Sequence, residues 1–154
     1  MIKVIVSEQM LYHRRKTGVV CAYPISTAKN GVGNIENSFQ TPLGQHQIFA
    51  KIGANLPVYT YFESRAPKGI FKQKISKHKD DWILSRILWL EGKQTGVNKR
   101  GKVDTKKRYI YIHGTNEEGN IGLASSHGCI RMINMDIMHL FEHVYRGETV
   151  VIKA

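Results

Sequence analysis

Apolar and polar positions alternate from the first residues of the chain. Ile2, Val4 and Val6 are interleaved with Lys3, Ile5 and Ser7, the period of a half-buried strand. Leu11 and Tyr12 extend that strand or begin a partner. His13-Arg14-Arg15-Lys16-Thr17-Gly18 reads as a basic hairpin turn closed by Gly18. Val19 to Ile25 is a β-rich run stopped near Pro24, and Cys21 within it reads as a small buried hydrophobe. Thr27 to Gln40 is a loop by its Gly and Asn content. Thr41-Pro42-Leu43-Gly44 is a turn into a strand from Gln45 to Ile52, and a further strand is expected from Val58 to Ser64. Trp82 to Leu90 is the most apolar run and is expected as a buried strand with both tryptophans in the core. In Arg108 to His113 alternation returns, placing Tyr109, Tyr111 and His113 on one face and Ile110 and Ile112 on the other.

Three further stretches lack a period. Arg65 to Asp81 carries Arg65, Lys68, Lys72, Lys74, Lys77 and Lys79 and reads as a solvated surface loop, or as a rim that attracts an anionic ligand. Glu91 to Lys107 is a long polar loop, and Gly114 to Ala124 is another. One helix is predicted. Asn134 serves as its N-cap, Asp136 lies in its first turn, and Ile137, Leu140, Phe141 and Val144 form its apolar stripe, with Gly147 at its end. His139 and His143 on that helix read as surface or packing residues. Thr149 to Ile152 is a last strand. Mostly strand with one helix predicts a mainly β barrel or sandwich. Neither repeats nor a second core is apparent, so residues 1–154 are read as a single domain.

Composition narrows the class without naming a function. The chain has 154 residues, enough for one well-buried core, and its 42% hydrophobic content argues against disorder. Twenty-three Lys and Arg against twelve Asp and Glu give a net charge of +11, which favours anionic partners: nucleic acid, acidic lipid or a carboxylate-rich substrate. The two cysteines, Cys21 and Cys129, do not make a disulfide framework. The short apolar opening, interrupted by Glu8, is not a signal peptide, and no stretch is long enough to span a membrane. A cytoplasmic location is therefore expected, or a periplasmic one if a leader has been removed.

The reactive groups concentrate in Ser126-His127-Gly128-Cys129-Ile130-Arg131-Met132 and in His113, which closes the preceding strand. A cysteine attacks as its thiolate and needs a base, and a histidine at a strand end is well placed to supply one. Gly128 clears space before Cys129, so that backbone N–H groups there can form an oxyanion hole. Arg131 shares a face with Cys129 in an extended segment, and its fork suits a substrate carboxylate. Tyr111, on the face of His113, is a candidate substrate contact. A zinc site from His113, His127, Cys129 and His139 matches no common ligand spacing, so no metal is expected. A nucleic-acid-binding module would use the same charge, but no aromatic-interleaved recognition motif accompanies it.

These segments together resemble the L,D-transpeptidase catalytic domain, the YkuD-type family. The resemblance rests on Tyr109-Ile110-Tyr111-Ile112-His113-Gly114-Thr115, the Ile121-Gly122 pair and the Ser126 to Met132 stretch. It is supported by the opening hairpin, Tyr23-Pro24-Ile25-Ser26-Thr27, Thr41-Pro42-Leu43-Gly44 and the Gly147 to Ile152 ending. The short interval between His113 and Ser126 is the family's shorter version. The resemblance implies a closed, mainly β barrel-like or sandwich-like domain with one helix after the catalytic cysteine. It implies Cys129 as nucleophile, His113 as base and the Gly114 carbonyl orienting the His113 ring. It also implies an oxyanion held at Gly128 and Cys129, a pocket shaped by His127 and Ser126, and Arg131 binding or supporting substrate carboxylates. No cofactor is implied. The implied substrates are peptidoglycan-derived tetrapeptides or muropeptides, cut between the L-centre of a diamino acid and the following D-residue. Because no export signal is seen, an L,D-carboxypeptidase acting in muropeptide recycling is expected ahead of an L,D-transpeptidase forming 3→3 cross-links. The expected protein is a monomer with no nucleic-acid or membrane partner.

Overall fold

A computed structural model describes residues 1–73 and 81–154. Its ten strands are β1 (Ile2–Ile5), β2 (Met10–Arg14), β3 (Val20–Ser26), β4 (Gly44–Ile52), β5 (Thr60–Glu63), β6 (Ala66–Ile70), β7 (Ile83–Gly92), β8 (Tyr111–Gly114), β9 (Ile130–Met132) and β10 (Thr149–Lys153). The helix α1 (Asn134–His143) lies between β9 and β10. Hydrogen bonding runs in the order β4-β10-β1-β2-β3-β9-β8-β7, and β7 then pairs back onto β4. Eight strands thus close a barrel, and the β5–β6 hairpin is attached outside the ring along β7. Two pairings are parallel, β1 with β10 and β8 with β9.

Alternation at the ends of the chain becomes the core. Ile2 and Val4 on β1, with Val150 and Ile152 on β10, are fully or almost fully buried, as are Leu11, Ile25, Ile48 and Leu90. The apolar run after Trp82 forms β7, with Leu84, Ile87, Leu88 and Leu90 buried. Burial on both of its faces explains why it reads as continuous rather than alternating. Trp82 and Trp89, expected in the core, are only partly buried: Trp82 packs against Tyr61 and Phe71, and Trp89 against Phe49.

The ten-residue helix is too short to hold itself together in water. It is held by burial of Ile137, Leu140 and Phe141, each worth about 1.5–3 kcal/mol. Both of its ends are fastened by residues distant in sequence. The expected Asn134 cap is corrected: Asn134 is already helical, and the Glu118 carboxylate accepts its backbone N–H at 2.8 Å. The Asn134 side chain instead bonds Thr115 O (2.7 Å) and Ser85 Oγ (2.7 Å), tying the helix to the strands that carry the site. At the other end Lys51 Nζ donates to the Phe141 and Val144 carbonyls, so the helix stops at His143, ahead of Gly147.

Three further expectations are corrected. The stretch from Arg65 is not all loop, since Ala66–Ile70 is a fully exposed strand paired with β5. Lys74, Lys77 and Lys79 lie outside the described residues. His13 is not in a turn but in β2, buried against Glu148 with its Nε2 2.7 Å from Oε2. The expected strand from Arg108 begins only at Tyr111, because Tyr109 adopts a left-handed φ of 56° and is 53% exposed.

Candidate active site

Parallel pairing of β8 and β9 assembles the reactive groups. Their register sets Ile112 against Ile130, His113 against Arg131 and Gly114 against Met132. Cys129, one step before β9, therefore lies beside Tyr111, and His113 lies two residues further along the same face. The Tyr111 N–H donates to Cys129 Sγ at 3.3 Å, and Sγ is 3.5 Å from the Tyr109 carbonyl oxygen.

His113 is buried, and its Nδ1 is 2.6 Å from the Gly114 carbonyl oxygen. A carbonyl only accepts, so Nδ1 carries the hydrogen and Nε2 of the neutral ring has the free lone pair, the tautomer a general base requires. This is the role the resemblance implied for the Gly114 carbonyl. Gly114 itself has no room for a side chain, since a Cβ would meet Asn134 Oδ1 and come within 2.7 Å of the Leu84 carbonyl oxygen.

The turn from Ser126 to Cys129 is clamped from within. Ser126 Oγ donates to the Cys129 carbonyl (2.6 Å) and accepts the Gly128 N–H (3.2 Å), while Thr41 Oγ1 donates to the Gly128 carbonyl (3.0 Å). Gly128 has φ 128°, where glycine alone is comfortable, so the residue type is set by the backbone as well as by access. One expectation is corrected here. The Gly128 N–H is committed to Ser126 rather than open to an oxyanion. Ser126 is buried and holds the turn, and together with His127 and Phe39 it lines a cavity. His127 is exposed and does shape the pocket. With Phe39, Tyr109 and Ile110 it lines a further cavity of about 300 Å³, and its Nδ1 lies 3.3 Å from Asp81 Oδ2.

Arg131 is the largest correction. Its side chain is 2% exposed, with Nη2 2.8 Å from Asp81 Oδ1 and Nη1 3.1 Å from Glu117 Oε2. The guanidinium is already matched by two carboxylates of the chain, and a buried ion pair of this kind is costly to break. It buttresses the site rather than presenting a free fork. Tyr111 is also buried, and its hydroxyl accepts from Arg65 Nη1 at 2.8 Å. Asp81 and Glu117 were not singled out from the sequence, and Arg65 only as one cation of a basic run read as a solvated loop or an anion-attracting rim. Asp81 and Arg65 stand in a run that reads as solvated charge, and Glu117 in a loop with no period. Only the fold shows what they face.

Burial dominates the electrostatics. It pushes the Cys129 thiol up to about 12, against which the Tyr111 N–H and the Arg131 and Arg108 cations work. Burial also lowers the His113 pKa from its ordinary value, opposed by nearby Asp81 and the Gly114 carbonyl. Both shifts favour the neutral thiol and the neutral imidazole, a pairing in which the proton moves during attack. We expect kcat/KM to rise with pH as His113 loses its proton, with a midpoint below the ordinary imidazole range and no second limb from the thiol near neutrality. Alkylation of Cys129 already at a plateau in mildly acidic solution, the mark of a thiolate–imidazolium pair, would contradict this. Among the described residues no group of three or more His, Cys, Asp or Glu converges to hold a metal.

A mainly β barrel presenting a cysteine and a buried histidine on adjacent parallel strands defines a candidate cysteine acyl-transfer enzyme. The comparisons are specific: the family profile of the L,D-transpeptidase catalytic domain, YkuD, matches residues 1–152. The chain belongs to the YkuD family of L,D-transpeptidase catalytic domains. It is similar to a putative L,D-transpeptidase, YqjB, of Bacillus subtilis, with 46% identity over 48 residues, covering 31% of this chain and 27% of that protein. A probable L,D-transpeptidase, ErfK/SrfK, of Salmonella typhimurium is 53% identical over 45 residues, covering 29% and 15%. The chain thus spans less than a third of these relatives' length. Among solved structures, an L,D-transpeptidase from Xylanimonas cellulosilytica superposes with TM-score 0.61 at 15% identity over 99% of this chain and 59% of that one. One from Mycobacterium smegmatis gives 0.58 at 18% identity over 99% and 58%. These structures share the barrel fold.

Proposed function

We propose that the protein is a cysteine-dependent acyl-transfer enzyme acting on peptidoglycan stem peptides, working chiefly as an L,D-carboxypeptidase on tetrapeptide muropeptides. The observation that carries the reading is Cys129 beside Tyr111, with His113 two residues along the same face and its ring oriented by the Gly114 carbonyl. In the first half-reaction Cys129 Sγ attacks the carbonyl carbon of the diamino acid while His113 Nε2 takes the thiol proton. The C–N bond breaks, His113 returns the proton to the leaving amine, and a thioester remains. In the second, water attacks the thioester with the same base, giving a tripeptide and the free thiol. An amine acceptor at the same step would give a 3→3 cross-link instead.

The net charge of +11 supports small carboxylate-bearing fragments as substrates, because it concentrates them near the surface. The test is to incubate the protein with a disaccharide tetrapeptide and weigh the products by mass spectrometry. Tripeptide with released D-alanine is the expected main product. A dominant cross-linked dimer would reverse the order of the two activities, and neither product would end the reading.

A further inference from the structure

An enzyme that trims peptide ends needs something to recognise the end, and the cations around Cys129 differ in their freedom to do so. Arg131 is held by Asp81 and Glu117, and Asp81 also faces the ring of His127. The Arg108 guanidinium is spent on the carbonyls of Gly33 and Gln40 and on Ser38 Oγ. Arg65 is in a different position. It is half-exposed at the tip of the β5–β6 hairpin, and among the described residues no carboxylate pairs with it. One N–H goes to the Tyr111 hydroxyl, and the guanidinium carbon lies 4.8 Å from the Trp89 ring centre and 5.0 Å from that of Tyr109.

That box is joined to the nucleophile. Tyr111 reaches Cys129 Sγ with its backbone N–H and Arg65 with its hydroxyl, while the Tyr109 carbonyl faces Sγ from the other side. The two residues of the hairpin tip, Ser64 and Arg65, have φ of 46° and 69°, and Tyr109 has 56°. A two-residue turn with positive φ at both positions ordinarily takes Asn-Gly. A long cation there is held against backbone preference, a pattern that clusters at functional sites. The guanidinium lies over both rings, and its N–H donors other than the one to Tyr111 are left for a planar anion.

We propose that Arg65 is a specificity residue that binds the free α-carboxylate of the D-residue to be expelled, so that the site selects peptide ends. This rests on the peptidase reading above. The carboxylate stands three bonds from the scissile carbonyl carbon, so a substrate seated on Cys129 directs it toward the adjoining box.

The test has two arms, using the full chain as wild type, Arg65→Gly and Arg65→Lys. Glycine suits the left-handed backbone at position 65, so Arg65→Gly removes the cation without straining the turn, and its thermal midpoint checks the fold. In the first arm, alkylation of Cys129 by iodoacetate and by uncharged iodoacetamide is followed by peptide mass mapping, which separates Cys129 from Cys21. The iodoacetate-to-iodoacetamide rate ratio should fall about tenfold in Arg65→Gly and stay closer to wild type in Arg65→Lys, the loss of one charge-assisted contact. In the second arm, a tetrapeptide and its C-terminal amide are compared. The acid-to-amide ratio of kcat/KM should fall about 10- to 100-fold in Arg65→Gly. An unchanged alkylation ratio overturns the anion subsite, whether or not peptide is cut. An altered alkylation ratio with an unchanged acid-to-amide ratio overturns its assignment to the leaving residue. If the wild type cuts neither peptide, the peptidase reading fails together with that assignment, and the alkylation arm still decides the subsite.

Discussion

Replacing Cys129 with alanine should reduce tripeptide formation to background, a loss of about four orders of magnitude or more, with the fold intact. The thiol is half-buried and its loss removes two weak contacts, to the Tyr111 N–H and the Tyr109 carbonyl, so stability should change little. His113→Ala should cost a similar factor. The double variant should be no worse than either single one, because nucleophile and base act as a unit. Intact-mass analysis of the wild type during turnover should show the acyl group on Cys129 and none on Cys21. Activity above about a tenth of wild type in Cys129→Ala would remove the mechanism, and additive losses in the double variant would separate His113 from the thiol.

Gly114→Ala is expected to damage both stability and chemistry. The new methyl group would meet Asn134 Oδ1 and the Leu84 carbonyl oxygen at 2.7 Å, so backbone must shift. Overpacking of this kind costs about 1–3 kcal/mol. The same shift moves the carbonyl that accepts from His113 Nδ1, and it strains Asn134, which links β7 and the loop after β8 to the start of the helix. Urea unfolding should therefore show a lower midpoint. At temperatures where the variant is still folded, kcat/KM should fall by more than tenfold, since a small misplacement of a base is catalytically expensive. Gly119→Ala is the control, because a Cβ there meets nothing within 4 Å and its φ is not in the left-handed region. Equal effects at both positions would mean that the crowding at Gly114 does not matter.

Much of the architecture was legible because periodicity reports burial. Ile2 and Val4 on β1, the apolar run of β7 and the Ile137, Leu140, Phe141 stripe of α1 all bury the face that their spacing selects. Cys129 and His113, which the fold sets on one face of adjacent strands, were legible as a candidate pair from residue type and from the family resemblance. What escaped was set by partners far away in sequence. No local signal says that Glu148 buries His13, that Glu118 caps Asn134, or that Asp81 and Glu117 enclose Arg131. β6 escaped for another reason: all five of its residues are exposed, so it has no hydrophobic face to betray it. Tyr109 fitted the alternation of its neighbours, but its positive φ takes it out of the strand and turns its ring toward Arg65.

The parallel pairing of β1 with β10 bears on how the domain comes into being. Residues 2–5 have to wait for 150–153 before the ring can shut, so closure spans nearly the whole described chain. Such non-local topology places a domain among slow folders, on a scale of milliseconds to seconds. While β10 is undocked, β1 and β4 lack the strand that joins them, and the ring stays open between them. The strands that carry and flank Cys129 and His113 pair with one another and not with β10, so docking of the last strand shuts the ring without entering the ladder that sets thiol against imidazole.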